Sequence, residues 1–330
     1  MATYKGIKGV KVVTKATDPT ASEAEGTVWY NTATTGLKYS IASAGAWASG
    51  GAMNTARTED ATAQVATQSA GQVAGGADPG GSANTEQYDG TTWSEVLNLN
   101  TARFNLQGTG TQTTAIAASG YTTTWVTNSE TWNGTSWSED IVVNTARKQG
   151  GSAGISGTSA LIFGGEGTSS TPKNNTELWN GSTWTEVNVL NGAIYGTAGG
   201  GTVSDAIRAG GVTGGGASPS DTAETWDGTT WSEKNNLTTA RGYNGAAAPS
   251  STSAIIFGGA VPAISALTEK WDGTSWTEVG DLGTARTAVN GSGTVTSALC
   301  FGGGPGPSAG GTATEEWNDP VYSIKTVTVS

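Results

Sequence analysis

Six copies of a tryptophan-bearing unit fill most of this 330-residue chain, and a repeat of this length leaves few ways to fold. Five copies read Tyr88-Asp-Gly-Thr-Thr-Trp93, Trp132-Asn-Gly-Thr-Ser-Trp137, Trp179-Asn-Gly-Ser-Thr-Trp184, Trp226-Asp-Gly-Thr-Thr-Trp231 and Trp271-Asp-Gly-Thr-Ser-Trp276; a truncated sixth reads Trp317-Asn-Asp-Pro320. The leading aromatics stand 44, 47, 47, 45 and 46 residues apart. One unit of this size cannot bury its apolar face alone, so neighbours must stack. An aromatic signature with a tight turn at this period predicts an all-β chain, a β-propeller with one four-stranded blade per copy.

Each copy divides into four strands. It opens on Thr-Ala-Arg, at Arg57, Arg103, Arg147, Arg241 and Arg286, and runs into a Gly/Ala-rich first strand. A β-rich run ending in paired glycines follows, clearest at Leu161-Ile-Phe-Gly-Gly165, Ile255-Ile-Phe-Gly-Gly259 and Leu299-Cys-Phe-Gly-Gly303. It reads as the second strand, and its glycines permit a sharp exit. After a variable loop comes a third strand ending Glu-x-aromatic, then the Asx-Gly-Thr turn of a tight hairpin, then a fourth strand bearing the second Trp. Glu86, Glu130, Glu177, Glu224, Glu269 and Glu315 each precede the third-strand aromatic by two residues, which places them on the same strand face as that ring.

Register at the chain ends shows how the ring closes. The fourth-strand Trp leads the arginine position by ten residues in every unit, and Trp47 leads Arg57 by the same ten. Six third-strand aromatics (88, 132, 179, 226, 271, 317) match six fourth-strand tryptophans (47, 93, 137, 184, 231, 276) only if the strand around Trp47 completes the blade begun near Arg286. Such closure removes the free sheet edges that invite aggregation. The expectation is a six-bladed propeller over residues 45–320, closed by an N-terminal strand.

The double glycine closing the second strand, the aromatic ending the third and the Trp on the fourth resemble the kelch family of propellers over roughly residues 47–320. That resemblance implies a kelch-like architecture; kelch propellers serve as scaffolds, binding modules and, less often, enzymes. Two departures stand out: the paired aromatics are only five positions apart, and the second unit has Ala118-Ser-Gly-Tyr121 where the glycine pair belongs. The Asx-Gly-Thr-x-Trp turn is also similar to a shortened Asp-box of sialidase-like propellers, which implies a turn and not catalysis.

Two segments fall outside the ring. Residues 1–44 contain Gly26-Thr-Val-Trp-Tyr-Asn-Thr-Ala-Thr-Thr-Gly-Leu-Lys-Tyr-Ser40, a hairpin expected to turn at Thr34-Thr35-Gly36. Residues 7–13 and 321–330 alternate as half-buried strands do. These terminal strands are expected to pair with each other or with a neighbouring subunit.

The candidate chemistry is sparse. No histidine is present, which removes the commonest general base and metal ligand and any Ser-His or Cys-His nucleophile. A copper oxidase of the galactose-oxidase kind, which needs His and a Cys–Tyr pair, is excluded. A sialidase-like enzyme, built on arginines, a Tyr nucleophile and carboxylates, stays formally open, but these arginines recur at one position as structural residues do. The expectation is a protein that is not an enzyme and uses no cofactor or metal. The repeated Arg and Glu are read as partners in every blade, since a buried carboxylate needs a donor; the alternative is a ligand-binding ring of arginines. The fourth unit has Ile194 at the arginine position yet keeps Glu224, so Arg208, on the same unit's second strand, is its expected donor.

The net charge of −11 argues against nucleic acid, which needs clustered cations. Lys5, Lys8, Lys11 and Lys15 make a basic end too sparse for a nucleic-acid arm. The single cysteine, Cys300, rules out an intrachain disulfide and reads as a small buried strand residue. No apolar run approaches the roughly 18 residues of a membrane span, and Met1-Ala-Thr-Tyr-Lys-Gly lacks a signal-peptide core. The expectation is a soluble protein made in a cytoplasm, with no membrane insertion. The glycine runs Gly199–Gly201 and Gly214–Gly216 follow no strand–helix pattern and are not phosphate loops.

Specificity is sought in what does not repeat. In an up-down blade the second-to-third loops share a face with the fourth-to-first linkers. Loops 77–83, 120–128, 166–175, 217–222, 260–267 and 304–312 therefore crowd one face beside the arginine starts. Tyr121 and Trp125 lie in the second loop, outside the repeat. They read either as binding aromatics for a sugar or a protein or as packing against the next blade.

Finally, Glu25-Gly-Thr-Val-Trp-Tyr-Asn-Thr, Gly36-Leu-Lys-Tyr-Ser40 and Ala46-Trp47 are together similar to a short hairpin module of bacteriophage tail fibres and other virion appendages. That resemblance covers about 25 residues and lacks the heptads of a fibre shaft. It implies a virion protein anchored to other virion proteins through residues 1–44, present as a homo-oligomer on the particle, whose propeller face engages a host-surface glycan or protein. The alternatives are a capsid-decorating head fibre and a cellular kelch-type scaffold.

Overall fold

The computed structural model describes residues 12–20, 27–42, 45–58, 61–62, 67–77, 80–168, 170–214, 218–306, 310–320 and 322–327. Lys5, Lys8, Lys11, positions 7–11 of the alternating N-terminal stretch, Gly215, Gly216, and positions 78–79, 169, 217 and 307–309 of the variable loops lie outside the described residues. So do Glu25, Gly26, Val321 and residues 328–330. All regular structure among the described residues is β, with no helix of any length. The chain forms two compact units, Trp47–Asn318 and a smaller one made of Met1–Ala46 with Asp319–Ser330.

The larger unit holds six four-stranded sheets, each ordered first, second, third, fourth. The third sheet shows how sequence builds one. Gly151–Ser156, Ser159–Phe163, Thr176–Trp179 and Trp184–Val187 pair in antiparallel succession. In its second strand Ala160, Leu161, Ile162 and Phe163 are buried on both faces, as a strand sandwiched between neighbouring sheets must be. At the turn, Asn180 Oδ1 accepts from the backbone N–H of Ser182 and Thr183, both at 2.9 Å, and Gly181 takes the left-handed φ of +90° that the turn needs. The flanking Trp179 and Trp184 stand directly opposite, their rings 5.4 Å apart. The equivalent pairs of four other sheets lie at 5.1–5.5 Å.

Small residues in the first strands let the next sheet approach. A Cβ at Gly199 would come within 2.5 Å of the Phe163 ring, and one at Gly291 within 2.4 Å of the Phe257 ring. The first strands pack in sequence, from Ala61–Thr62 to Gln107–Thr111, Gly151–Ser156, Ala198–Thr202, Gly245–Ser250 and Asn290–Thr294, and the last packs on the first.

Ala46–Ser49 is the fourth strand of the sixth sheet, beside Thr314–Asn318. Indole N–H bonds follow the same circuit. Trp93 donates to Thr314 at 3.0 Å, Trp137 to Thr85 at 3.1 Å, Trp231 to Thr176 at 3.0 Å and Trp47 to Thr268 at 3.1 Å. Each of these bonds joins one sheet to the third strand of the sheet before it. Where the acceptor position holds Ala223, Trp276 reaches the Asn235 carbonyl instead, at 3.1 Å. Cys300 is fully buried in the sixth sheet, and burial pushes its thiol up to about 12.

The second unit's missing glycine pair is repaired locally. Ser119 takes the left-handed φ of 58° that glycine holds at this position elsewhere, and its hydroxyl donates to the Arg147 carbonyl at 2.7 Å.

The smaller unit is one four-stranded sheet, ordered Val13–Lys15, Val28–Asn31, Gly36–Ala42, Tyr322–Thr326, with a parallel first pair. The C-terminal strand pairs with Gly36–Ala42 of the N-terminal segment, and Val13–Lys15 lies on the opposite edge of the hairpin. One expectation needs correcting. The hairpin turns over Thr32–Thr35, with Gly36 already paired to Asn31. Asn31 Oδ1 sets that turn by accepting from the N–H of Ala33 and Thr34, each at 2.9 Å.

Asp18 ties the first segment to this hairpin. It accepts from Lys38 Nζ at 2.6 Å, Asn31 Nδ2 at 2.5 Å and Trp29 Nε1 at 3.0 Å. The Lys38 hydrogen bond, then that of Asn31, hold the Asp18 carboxyl down at about 2, against 3.8 for a free carboxyl. A depressed carboxylate stabilises the folded state above its unfolded value, and that contribution fades as pH falls from about 3.8 toward 2. The Trp29 indole N–H resonance should therefore hold steady to pH 4 and move below it with a midpoint near pH 2. A Trp29 shift with a midpoint above pH 4 would disprove the cluster.

Candidate functional site

All six arginines of the chain are paired with the six repeated glutamates. Arg57 bonds Glu86, Arg103 bonds Glu130 at 2.5 Å, Arg147 bonds Glu177 at 2.5 Å, Arg241 bonds Glu269 and Arg286 bonds Glu315 at 2.7 Å. In the fourth sheet Ile194 is buried among apolar neighbours, and Arg208 reaches Glu224 from the second strand, with Nε at 3.0 Å. The pairs are buried within their sheets. Burial pulls the guanidinium groups of Arg103, Arg147 and Arg241 below their usual range, and the facing glutamates oppose that pull. Spare guanidinium donors cap strand-end carbonyls, as Arg147 does at Gly164 and Asn175. These groups hold the sheet together.

Sequence reasoning missed a third member of this network. Asn100 donates its backbone N–H (2.7 Å) and its side-chain amide (2.9 Å) to Glu130, and the same amide reaches the Trp137 carbonyl at 3.1 Å. Asn54, Asn144 and Asn191 repeat the arrangement. The signal was available, because Asn recurs three residues before the arginine position and survives even where Ile194 replaces the arginine.

Two residues beyond the arginine position the chain does something else. Asn105, Gln149, Gly196, Tyr243 and Ala288 all take left-handed backbone, with φ between 53° and 57°. Four of the five carry side chains, for which this conformation costs about 1–2 kcal/mol each. A chain of backbone bonds holds them there. Gln149 N–H donates to Asn105 C=O at 2.9 Å, Gly196 to Gln149 at 2.7 Å, Tyr243 to Gly196 at 2.7 Å and Ala288 to Tyr243 at 2.8 Å. Five sheets are thereby linked at the starts of their first strands. The sixth equivalent position, Glu59, lies outside the described residues.

These residues rim a cavity of about 80 Å³ lined by Asn105, Gln149, Thr197, Tyr243, Asn244 and Asn290 among others. A second cavity of about 70 Å³ adjoins it, sharing Thr197, Asn244 and Asn290 and adding Gln107. Beside the rim, Tyr121 and Trp125 meet edge to face with ring centres 5.2 Å apart, and Phe104 packs on Tyr121 at 5.3 Å. Lys148 Nζ lies 5.4 Å and 5.3 Å from the Tyr121 and Trp125 ring centres. The same ammonium pairs with Glu166 at 3.4 Å, and Trp125 Nε1 donates to the Glu166 carbonyl at 3.1 Å. Both rings are thus half-buried against the third unit while keeping part of their surface open. The face offers neutral amides, hydroxyls and π-surfaces, which suit recognition by hydrogen bonding and stacking.

No protein-family model and no curated protein matches this chain.

Proposed function

We propose that Trp47–Asn318 is a six-bladed kelch-like β-propeller closed by its N-terminal strand, and that the protein is a non-enzymatic structural component of a bacteriophage virion, a tail fibre or appendage. Its loop face binds a host-surface glycan or protein, or an adjoining virion protein. The propeller reading is supported by the circuit of first strands and by indole bonds that step from four of the six sheets to the one before. The observation that carries the binding reading is the division of labour in the repeat. Repeated Arg, Glu and Asn serve internal bonds, while unrepeated aromatics and amides gather at one rim. The virion assignment rests on the N-terminal hairpin module, and attachment to the particle is assigned to residues 1–44.

Two experiments test this. Mass spectrometry of purified virions should find the chain as a stoichiometric component; its absence from particles made by cells that express it refutes the virion assignment. Tyr121→Ala with Trp125→Ala should weaken adsorption by about 2 kcal/mol, the size expected of an aromatic hot spot, with the far-ultraviolet spectrum unchanged. Wild-type adsorption by the double variant would show that these rings only pack.

A further inference from the structure

We propose that the paired cavities at the starts of the first strands bind the terminal unit of an uncharged saccharide. The inference rests on reading this face as a binding surface, and adds the pocket and the chemistry of its ligand. Its first support is a surplus of acceptors. Gln107 is 2% exposed; its amide nitrogen donates to the Asn105 carbonyl at 3.2 Å, and its Oε1 has no partner among the described residues. Asn244 is 6% exposed; its amide nitrogen lies 3.4 Å from the Ala209 carbonyl, and its Oδ1 is likewise unpartnered. Both residues line the inner cavity. A buried acceptor left without a donor costs free energy, so the site favours a guest rich in hydroxyl donors.

The second support is charge. No lysine or arginine among the described residues lines either cavity, so a phosphate, sulfate or sialic-acid carboxylate would enter without a counter-ion. The third is conformational. Gln149 and Tyr243 hold left-handed backbone that glycine, present at the equivalent Gly196, would hold without strain. Of the four rim positions that keep a side chain in this backbone, these two carry groups large enough to reach the mouth, and the Tyr243 ring is braced edge-on by Tyr195 at 6.1 Å. An amide and a phenol ring there can bond the ring hydroxyls and stack on the C–H face of a hexose.

Saturation-transfer NMR on the full chain tests this with the methyl glycosides of glucose, galactose, mannose and N-acetylglucosamine, and with sialyllactose. At least one neutral glycoside should receive saturation, and sialyllactose should receive none at its sialic acid. Gln149→Gly and Tyr243→Gly should each reduce affinity for that glycoside at least tenfold. Gln149→Gly should also leave the melting temperature unchanged or raise it, because it relieves the left-handed backbone. No binding by any neutral probe, binding through sialic acid alone, or full affinity in both variants overturns the proposal. In each case host adsorption that still depends on Tyr121 and Trp125 leaves the broader reading of the face intact. Saccharide binding by a chain that proves absent from virions separates the two in the other direction.

Discussion

A chain begun at residue 51 is expected to lose cooperative folding of its larger unit. It lacks Ala46–Ser49, so Thr314–Asn318 becomes an unpaired sheet edge, the kind of template on which chains aggregate. It also lacks Trp47, whose ring sits 4.8 Å from that of Phe257 and 5.8 Å from that of Trp317, and whose N–H bonds Thr268 in the fifth sheet. Both ties between the last two sheets that involve this residue go together. The fragment should bind a hydrophobic dye, self-associate in sedimentation and melt broadly. Trp47→Ala in the full chain isolates the side chain and should cost about 3–5 kcal/mol, as large-to-small core changes do. Deleting residues 1–24 keeps Trp47 and should preserve the main thermal transition while abolishing the proposed assembly on a virion. A monomeric 51–330 fragment melting in one transition at the full-length temperature would refute the closure.

Arg208→Ile should be among the most damaging single substitutions, and a second change should repair it. Removing Arg208 leaves the fully buried Glu224 carboxylate with the backbone N–H and side-chain amide of Asn191, at 2.9 and 2.8 Å, and no cation. Breaking a buried pair from one side costs about 3–5 kcal/mol, on the order of 10 °C in melting temperature for a unit of this size. Ile194→Arg then places a guanidinium where five other sheets carry theirs. It would face the carbonyls of Gly210 and Thr222, the counterparts of the Gly164 and Asn175 oxygens that Arg147 caps. The double variant should regain more than half the loss. Calorimetry showing Arg208→Ile neutral, or the double variant no better than the single, would reject pairing as the reason glutamate is kept in every sheet.

Most of the architecture was legible because it is written six times. The Asx-Gly-Thr turns, the opposed aromatics and the ten-residue step from Trp47 to Arg57 are local signals whose repetition gives register as well as strand type. Arg208 could be assigned to Glu224 for the same reason, since a break in a repeat points to its own compensation. What was not legible lacks a local signature. Alternation marks Tyr322–Thr326 as a strand but does not name the strand beside it. The left-handed rim is fixed by bonds between sheets, and the five residues there (Asn, Gln, Gly, Tyr, Ala) share no chemistry that a sequence could repeat. Only Asn105 and Gly196, residue types that tolerate this conformation, hinted at it.

The internal arginine pairs also decide what the molecule presents to its surroundings at a distance. Each pair is electrically closed, so the formal charge of −11 is carried entirely by the other carboxylates and the lysines, with no guanidinium among them. Approach to an anionic cell envelope, or of one copy to another, is therefore opposed by a field reaching about 10 Å at 0.1 M salt and about 30 Å at 0.01 M. The proposed recognition through a neutral pocket would work only once that field has been crossed. Dissolved ions thus act as a gate on encounter while leaving the grip itself untouched.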